Sequence, residues 1–191
     1  MSSDNGGRRG KLVIVSGPSG SGKTTICREL VKHPGVKISV SVTTRAPRPR
    51  EVEGQDYYFV GEDEFGRRVK EGRFVEHARY SGTLYGTLRK PLERALEEGL
   101  TYLLEVDVQG ALQVMEKYPD AISIFIMPPG EDVLKRRLMD RNTDKEQDIN
   151  RRLDIAGQEL EHSSRYKYRV VNDKLEDALD EIFDILGLLK G

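Results

Sequence analysis

Short apolar runs alternate along this chain with stretches whose apolar residues recur every three or four positions. Residues 12–16 form a compact apolar run bounded by glycines, the mark of a buried strand. Residues 24–33 carry Ile26 and Leu30 four apart and stop at Pro34-Gly35, which predicts a helix. Runs at 100–106 and 121–127 predict further buried strands, with a helix over 110–118 between them. Leu134 and Leu138 predict a helix over 133–140, and Ile149 and Leu153 another over 148–161. The last helix is the clearest, because Leu175, Leu179, Ile182, Phe183 and Leu186 share one face; residues 168–171 before it predict a strand. Strands alternating with helices imply an α/β fold on a mainly parallel sheet flanked by helices.

Two regions break the rhythm. Residues 41–87 are rich in Tyr, Arg, Gly and Thr, with alternating runs at 56–60 and 73–80, which predicts a small inserted antiparallel sheet. Residues 137–157 are densely charged around Asn142-Thr143-Asp144 and predict a helical hairpin. The expected organisation is a disordered tail over 1–10 and a core of 11–40, 88–136 and 158–191. One insertion occupies 41–87 and another 137–157.

Composition narrows the function classes. At 191 residues the chain is about one domain with inserted lobes. Charged residues make up 33% against 37% hydrophobic, which excludes wholesale disorder. Lys and Arg number 31 against 32 Asp and Glu, so bulk charge does not hold a nucleic acid, although local basic pockets remain open. A lone Cys27 allows no internal disulfide and suits a reducing compartment. Three scattered histidines give no metal-ligand cluster, and no apolar run is long enough to span a bilayer. The expectation is a soluble, cytoplasmic protein, a monomer or small homo-oligomer, with neither nucleic acid nor membrane as partner.

The strongest motif is Gly17-Pro18-Ser19-Gly20-Ser21-Gly22-Lys23-Thr24, a G-x-x-x-x-G-K-[ST] string between a predicted strand and helix. Its glycines let successive backbone N–H groups, through Thr25, point into one concavity, where phosphate oxygens bind at a helix N-terminus. Lys23 reaches the β and γ phosphates and the Thr24 hydroxyl can ligate Mg²⁺, so the chain is expected to bind a nucleoside triphosphate. Asp107-Val-Gln-Gly110 matches the D-x-x-G of GTPases, but no guanine-reading N-K-x-D segment accompanies it. The simpler reading is an apolar strand whose terminal acids, Glu105 and Asp107, hold the metal's water shell or contact ligand.

A second anion site is suggested by Arg45, Arg48 and Arg50, set among prolines that stiffen the loop. Taken alone that string also fits a solvated basic loop or a nucleic-acid contact. Beside it stand Tyr57, Tyr85 and Thr87, the groups a phosphate-bearing small molecule would use. Arg137 and Arg141, four apart on one helical face, and Arg152 fit equally a salt-bridged surface helix and a clamp over a triphosphate.

Together these strings resemble the guanylate kinase family over about residues 11–189. The matching pieces are GPSGSGKTT at 17–25, SVSVTTRAPRPREVEGQDYYFV at 39–60, FVEHARYSGTLYGT at 74–87, LLEVDVQGA at 103–111, RRLMDRNT at 136–143, INRRL at 149–153 and VND at 171–173. The resemblance implies a P-loop core, a monophosphate-binding lobe over 41–87, a lid over 137–157, and the reaction ATP + GMP ⇌ ADP + GDP with Mg²⁺. It assigns Arg45, Arg48, Tyr57 and Tyr85 to the phosphate of GMP or dGMP, and Ser41, Glu76, Thr87 and Asp107 to guanine. A carboxylate suits that base, which offers a ring N–H and an exocyclic amine, and Thr87 can donate to its carbonyl. Arg137, Arg141 and Arg152 resemble the arginines that grip ATP, and Asn172 a residue near adenine. Two positions depart from the pattern: Asn142 stands where glycine is common, and Thr87 where serine is also found.

A rival reading comes from guanylate-kinase-like domains of scaffold proteins, which use the same lobe to bind phosphopeptides. Those domains typically have a degraded phosphate loop, often proline at the Ser41 position, and no acid at Asp107. The intact loop, Ser41 and Asp107 favour the enzyme.

Overall fold

The structure, a computed structural model, describes residues 9–80, 82–139 and 146–188. Of the expected tail at 1–10, residues 1–8 lie outside them, and Gly10 already donates its N–H to the Leu96 carbonyl at 2.8 Å. The strands are β1 (Lys11–Ser16), β2 (Val36–Ile38), β3 (Ser41–Thr43), β4 (Tyr57–Phe59), β5 (Phe74–Tyr80), β6 (Thr83–Leu88), β7 (Thr101–Glu105), β8 (Ile122–Met127) and β9 (Tyr168–Val171). The α-helices are α1 (Lys23–Leu30), α2 (Glu62–Lys70), α3 (Arg89–Glu97), α4 (Val108–Lys117), α5 (Glu131–Met139), α6 (Glu146–Glu161) and α7 (Leu175–Leu186). A parallel sheet runs β2-β7-β1-β8-β9, and a separate four-stranded sheet runs β4-β3-β6-β5. No helix among the described residues is long and apolar enough to cross a membrane.

β1 is buried from Leu12 onward, with Val13, Ile14 and Val15 fully covered, as a central strand of a parallel sheet requires. The expected strands and helices of the α/β core are present with ends shifted by a few residues. α1 is the largest trim: it ends at Leu30, and residues 31–33 turn rather than extend the helix. In α7 the deepest residues are Ala178, Ile182 and Leu186, while Leu175, Leu179 and Phe183 are half-buried.

Contacts divide the chain into two compact units, one drawn from within 1–13 and 35–104, the other from within 14–34 and 105–191. In the first, β2 pairs parallel with β7, Val36 opposite Thr101, and α3 buries Leu92, Ala95 and Leu96. Its second sheet is mixed rather than antiparallel, which corrects the expectation for 41–87. β3 meets β6 antiparallel but β4 parallel, because the 44–56 loop carries the chain back to the start of the sheet before β4 begins. One face of this sheet is apolar: Val42 and Phe74 pack on Phe65 of α2, with Tyr58, Val60, Leu84 and Leu88 around them. A register shift between Phe74 and Glu76 sets the other face. Strict alternation would put those two side chains on the same side; the extra residue, Val75, lets Phe74 enter the core while Glu76 turns away from it.

In the second unit β8 and β9 pair parallel, from Ile124 opposite Tyr168 to Met127 opposite Val171. α7 packs on α1, with the His33 and Phe183 rings 6.3 Å apart. Leu134 and Leu138 of α5 meet Ala156 and Leu153 of α6 in a separate apolar cluster.

Candidate active site

In the first unit the strand register assembles a polar row across all four strands. Tyr57 lies opposite Ser41, Ser41 opposite Thr87, and Thr87 opposite Glu76. Tyr85, paired with Thr43, follows two residues along on the same face. Five residues singled out in the sequence therefore share one side of one small sheet. Glu76 is 4% exposed, and Thr87, fully buried, donates its hydroxyl to Glu76 Oε1 at 2.6 Å. A hydroxyl has one proton. In this arrangement Thr87 spends it on orienting the carboxylate, so the expected donation to a guanine carbonyl would require that bond to be released.

Arg45 reaches the same face. Its guanidinium lies 5.3 Å from the Tyr57 ring centroid and 5.8 Å from that of Phe59, while the Tyr57 and Tyr85 rings stand 6.1 Å apart. What fixes it is an acid that sequence reasoning missed. Glu51 accepts from Arg45 Nη1 and Nη2, both at 2.9 Å, in a two-pronged pair with both side chains under one-fifth exposed. Glu51 Oε2 also accepts the Arg48 backbone N–H at 2.7 Å, which ties the second arginine of the loop to the same carboxylate. The hydrogen bonds from Arg45 hold Glu51 below the usual carboxylate range, and Glu51, then Tyr85, raises the proton affinity of Arg45. Arg45 Nε is buried and has no partner among the described residues. Arg48 itself is exposed. The signal for Glu51 was present: an acid directly after RAPRPR is the nearest counter-charge.

In the second unit the phosphate loop joins β1 to α1. Lys23 Nζ donates back to the Gly17 and Pro18 carbonyls at 2.5 and 2.9 Å. Thr24 Oγ1 donates to Glu105 Oε1 at 2.5 Å, so the strand-end acid meets the loop hydroxyl. The loop is braced from behind by Asn172, whose side-chain amide donates to the Ser21 carbonyl at 2.7 Å. Gly22, at φ 93°, has Asn172 Nδ2 against it where a Cβ would stand. Asn172 therefore supports the loop, besides lining a cavity of about 320 Å³ with Gly20, Gly22, Thr25, Arg137 and Asp173. Arg137 Nη2 donates to the Asn172 carbonyl at 3.0 Å, and its Nη1 is buried without a partner among the described residues. Arg152 Nη2 donates to Ser19 Oγ at 2.9 Å. Arg141 lies outside the described residues, as does Asn142.

Asp107 belongs to this unit and caps α4, its Oδ1 accepting the Gly110 N–H at 2.7 Å. A second acid here escaped the sequence reading. Glu159 on α6 is pushed up to about 7, chiefly by burial; Lys23 opposes that shift, Asp107 adds to it, and the Ser19 N–H opposes it.

The comparisons with known proteins agree with this geometry. A family model described as Guanylate kinase matches residues 9–188. The chain is 47% identical over 180 residues to a guanylate kinase of Rubrobacter xylanophilus, covering 94% of each. It is 43% identical over 182 residues to one of Clostridium tetani, covering 95% of this chain and 88% of the relative. The crystal structure of guanylate kinase from Anaplasma phagocytophilum superposes with a TM-score of 0.80 at 38% identity, covering 94% of this chain and 85% of that one. With a loop, lobe and sheet of this build and relatives this similar over nearly its whole length, the chain belongs to the guanylate kinase family.

Proposed function

We propose that the chain transfers the γ-phosphoryl group of ATP to GMP, with ATP on the phosphate loop of the second unit and GMP on the polar face of the four-stranded sheet. The observation that carries the GMP half is the buried Glu76–Thr87 pair beside the Arg45–Glu51 pair. An acceptor-only carboxylate suits a base with two adjacent donors, and a rigidly held guanidinium suits a phosphate. Adenine lacks the ring N–H and would leave buried oxygen lone pairs unpaired, at about 1–3 kcal/mol. Arg48, Tyr57, Tyr85 and Ser41 complete the proposed GMP site, and Asp107 keeps its proposed role in reading the base.

No general base is required. The second pKa of a phosphate monoester is near 6, so GMP is already largely a dianion at neutral pH. The difficulty is repulsion between polyanions, about 4 kcal/mol per charge pair at 4 Å and an effective dielectric of 20. Lys23, Arg137, Arg141 and Arg152 on the ATP side, and Arg45 on the GMP side, offset it and hold the phosphates still. A hydroxyl and a carboxylate at the loop's end, Thr24 and Glu105, fit the all-oxygen preference of Mg²⁺. Bound there, Mg²⁺ would neutralise charge on the β and γ phosphates. Residues 137–157 act as the lid that excludes water, residues 41–87 as the GMP lobe, and 11–40, 88–136 and 158–191 as the core. Composition and the single cysteine suit a cytoplasmic setting.

The test is ADP release with ATP and Mg²⁺ in parallel reactions containing GMP, AMP, CMP or UMP. Turnover confined to GMP, among these four, is the expected result. Turnover with none would overturn the proposal and direct attention to phosphopeptide binding.

A further inference from the structure

α6 meets the phosphate loop at one residue from two directions. Arg152 and Glu159 are seven apart and so share a helical face. Arg152 donates to the Ser19 hydroxyl at 2.9 Å, and the Ser19 backbone N–H donates to the Glu159 carboxylate. Glu159 Oε2 is buried and has no partner among the described residues; the Tyr166 hydroxyl nearby is buried too. The charged groups facing Glu159 are Lys23 at the start of α1 and Asp107 at the cap of α4.

A carboxylate in this position is costly to the fold. One oxygen is desolvated and receives no hydrogen bond from the described residues, and Asp107 adds like-charge repulsion. A neutral or apolar side chain could pack α6 against the loop without that cost. The charge is directed instead at the loop lysine and at the amide of the residue that Arg152 also holds.

We propose that Glu159 is a positioning residue for ATP: together with Arg152 it clamps the phosphate loop at Ser19, and it gives Lys23 a counter-charge behind the loop. The sequence reading assigns Arg152 to the ATP phosphates, and the same helix thereby links that arginine's position to the shape of the cradle. When Arg152 turns from Ser19 toward a phosphate, Glu159 keeps its hold on the backbone and the loop stays formed. This rests on the reading of the loop as the ATP site, which wild-type turnover tests separately.

The experiment compares wild type, Glu159→Ala and Glu159→Gln by steady-state kinetics with ATP and GMP each varied. Losing a hydrogen bond to a charged group predicts a KM for ATP raised about tenfold in Glu159→Ala, with the KM for GMP within about twofold of wild type. Glu159→Gln keeps an oxygen for the Ser19 N–H but not the charge. Charge-assisted bonds being roughly twice as strong, its KM for ATP should match wild type at pH 6 and exceed it about threefold at pH 8. That second comparison stands even if Glu159→Ala does not fold. Equal changes in both KM values, or no change in that for ATP, would reduce Glu159 to a packing residue. A Gln-to-wild-type ratio constant across pH would remove the role of its charge.

Discussion

Replacing Glu76 by Gln isolates base recognition from everything else the lobe does. The two side chains have nearly the same shape, and the amide oxygen can still accept from Thr87 as Glu76 Oε1 does at 2.6 Å. What changes is the second oxygen, which becomes an NH₂ donor. Facing guanine, that donor meets another donor in place of an acceptor. A hydrogen bond to a charged group contributes about 1.5–3 kcal/mol, and a buried donor left unsatisfied costs a further 1–3. Because the site is 4% exposed, water does not relieve the mismatch. The expected loss is about 2.5–6 kcal/mol, or about 60- to 20,000-fold in kcat/KM for GMP. The KM for ATP should stay within about twofold, because the loop and its braces lie in the other unit. The assay is ADP release with GMP and, in parallel, with inosine monophosphate, which keeps the ring N–H but lacks the exocyclic amine. The preference of wild type for GMP over that analogue should narrow in the variant. A kcat/KM for GMP within threefold of wild type, or an unchanged preference, would refute the assignment of Glu76 to the base.

Three further outcomes follow from other parts of the structure. Lys23→Ala should lower kcat about a hundredfold or more while GMP binding, measured by calorimetry, is retained, since the Glu76–Thr87 and Arg45–Glu51 hydrogen bonds do not involve the lysine. Gly86→Ala would place a Cβ 2.9 Å from Phe74 and 3.2 Å from Phe65. Overpacking of that kind costs about 1–3 kcal/mol, a fall of about 2–10 °C in Tm by calorimetry, with the loss of GMP affinity exceeding that of ATP. Glu159, raised by burial to about 7 in the fold, binds a proton there that the unfolded chain has released. Its contribution to stability is therefore greatest below the normal glutamate range and declines as pH rises toward 7. Glu159→Gln should accordingly gain Tm relative to wild type at pH 8 and not at pH 5, which parallel thermal melts would read.

How much of this was legible in the sequence depended on whether the information was local. The phosphate loop was, because the glycines, Lys23 and Thr24 are contiguous and sit between a strand and a helix that both advertise themselves. The core strands were, because burial on both faces writes an unbroken apolar run. α2 was not: EDEFGRRVK buries only Phe65, and acids in its first turn, bases in its last and the Glu64–Arg68 pair support it in place of an apolar stripe. α3 carries a readable Leu92, Ala95, Leu96 pattern, but Pro91 reads as a breaker; it falls in the first turn, where a missing N–H costs nothing. The parallel pairing of β3 with β4 and the bulge at Val75 are decided by which strands meet. No local pattern reports that, and the bulge is what turns Glu76 out of the core.

Glu51 and Glu159 escaped for a related reason, and they share a logic with the cations they serve. Four side chains assigned to substrate phosphates already hold protein acceptors: Lys23 the Gly17 and Pro18 carbonyls, Arg137 the Asn172 carbonyl, Arg152 the Ser19 hydroxyl, and Arg45 the Glu51 carboxylate. Fixing a long cationic side chain costs about 1.5–2 kcal/mol of rotamer entropy, and here folding bears that cost before any substrate arrives. The first three acceptors are neutral, so a phosphate oxygen, forming charge-assisted bonds about twice as strong, can displace them. Glu51 is different, since it is charged and two-pronged and competes with a phosphate on equal terms. Arg45 can bind both only through an N–H that Glu51 does not use, and its Nε is buried with no partner among the described residues. Arg137 repeats the arrangement with Nη1. One arm of each guanidinium is held by the protein while another buried N–H is left for the ligand. Under the proposed function, these nitrogens are the N–H groups left for phosphate, and Glu51 can stay on Arg45 while they are used.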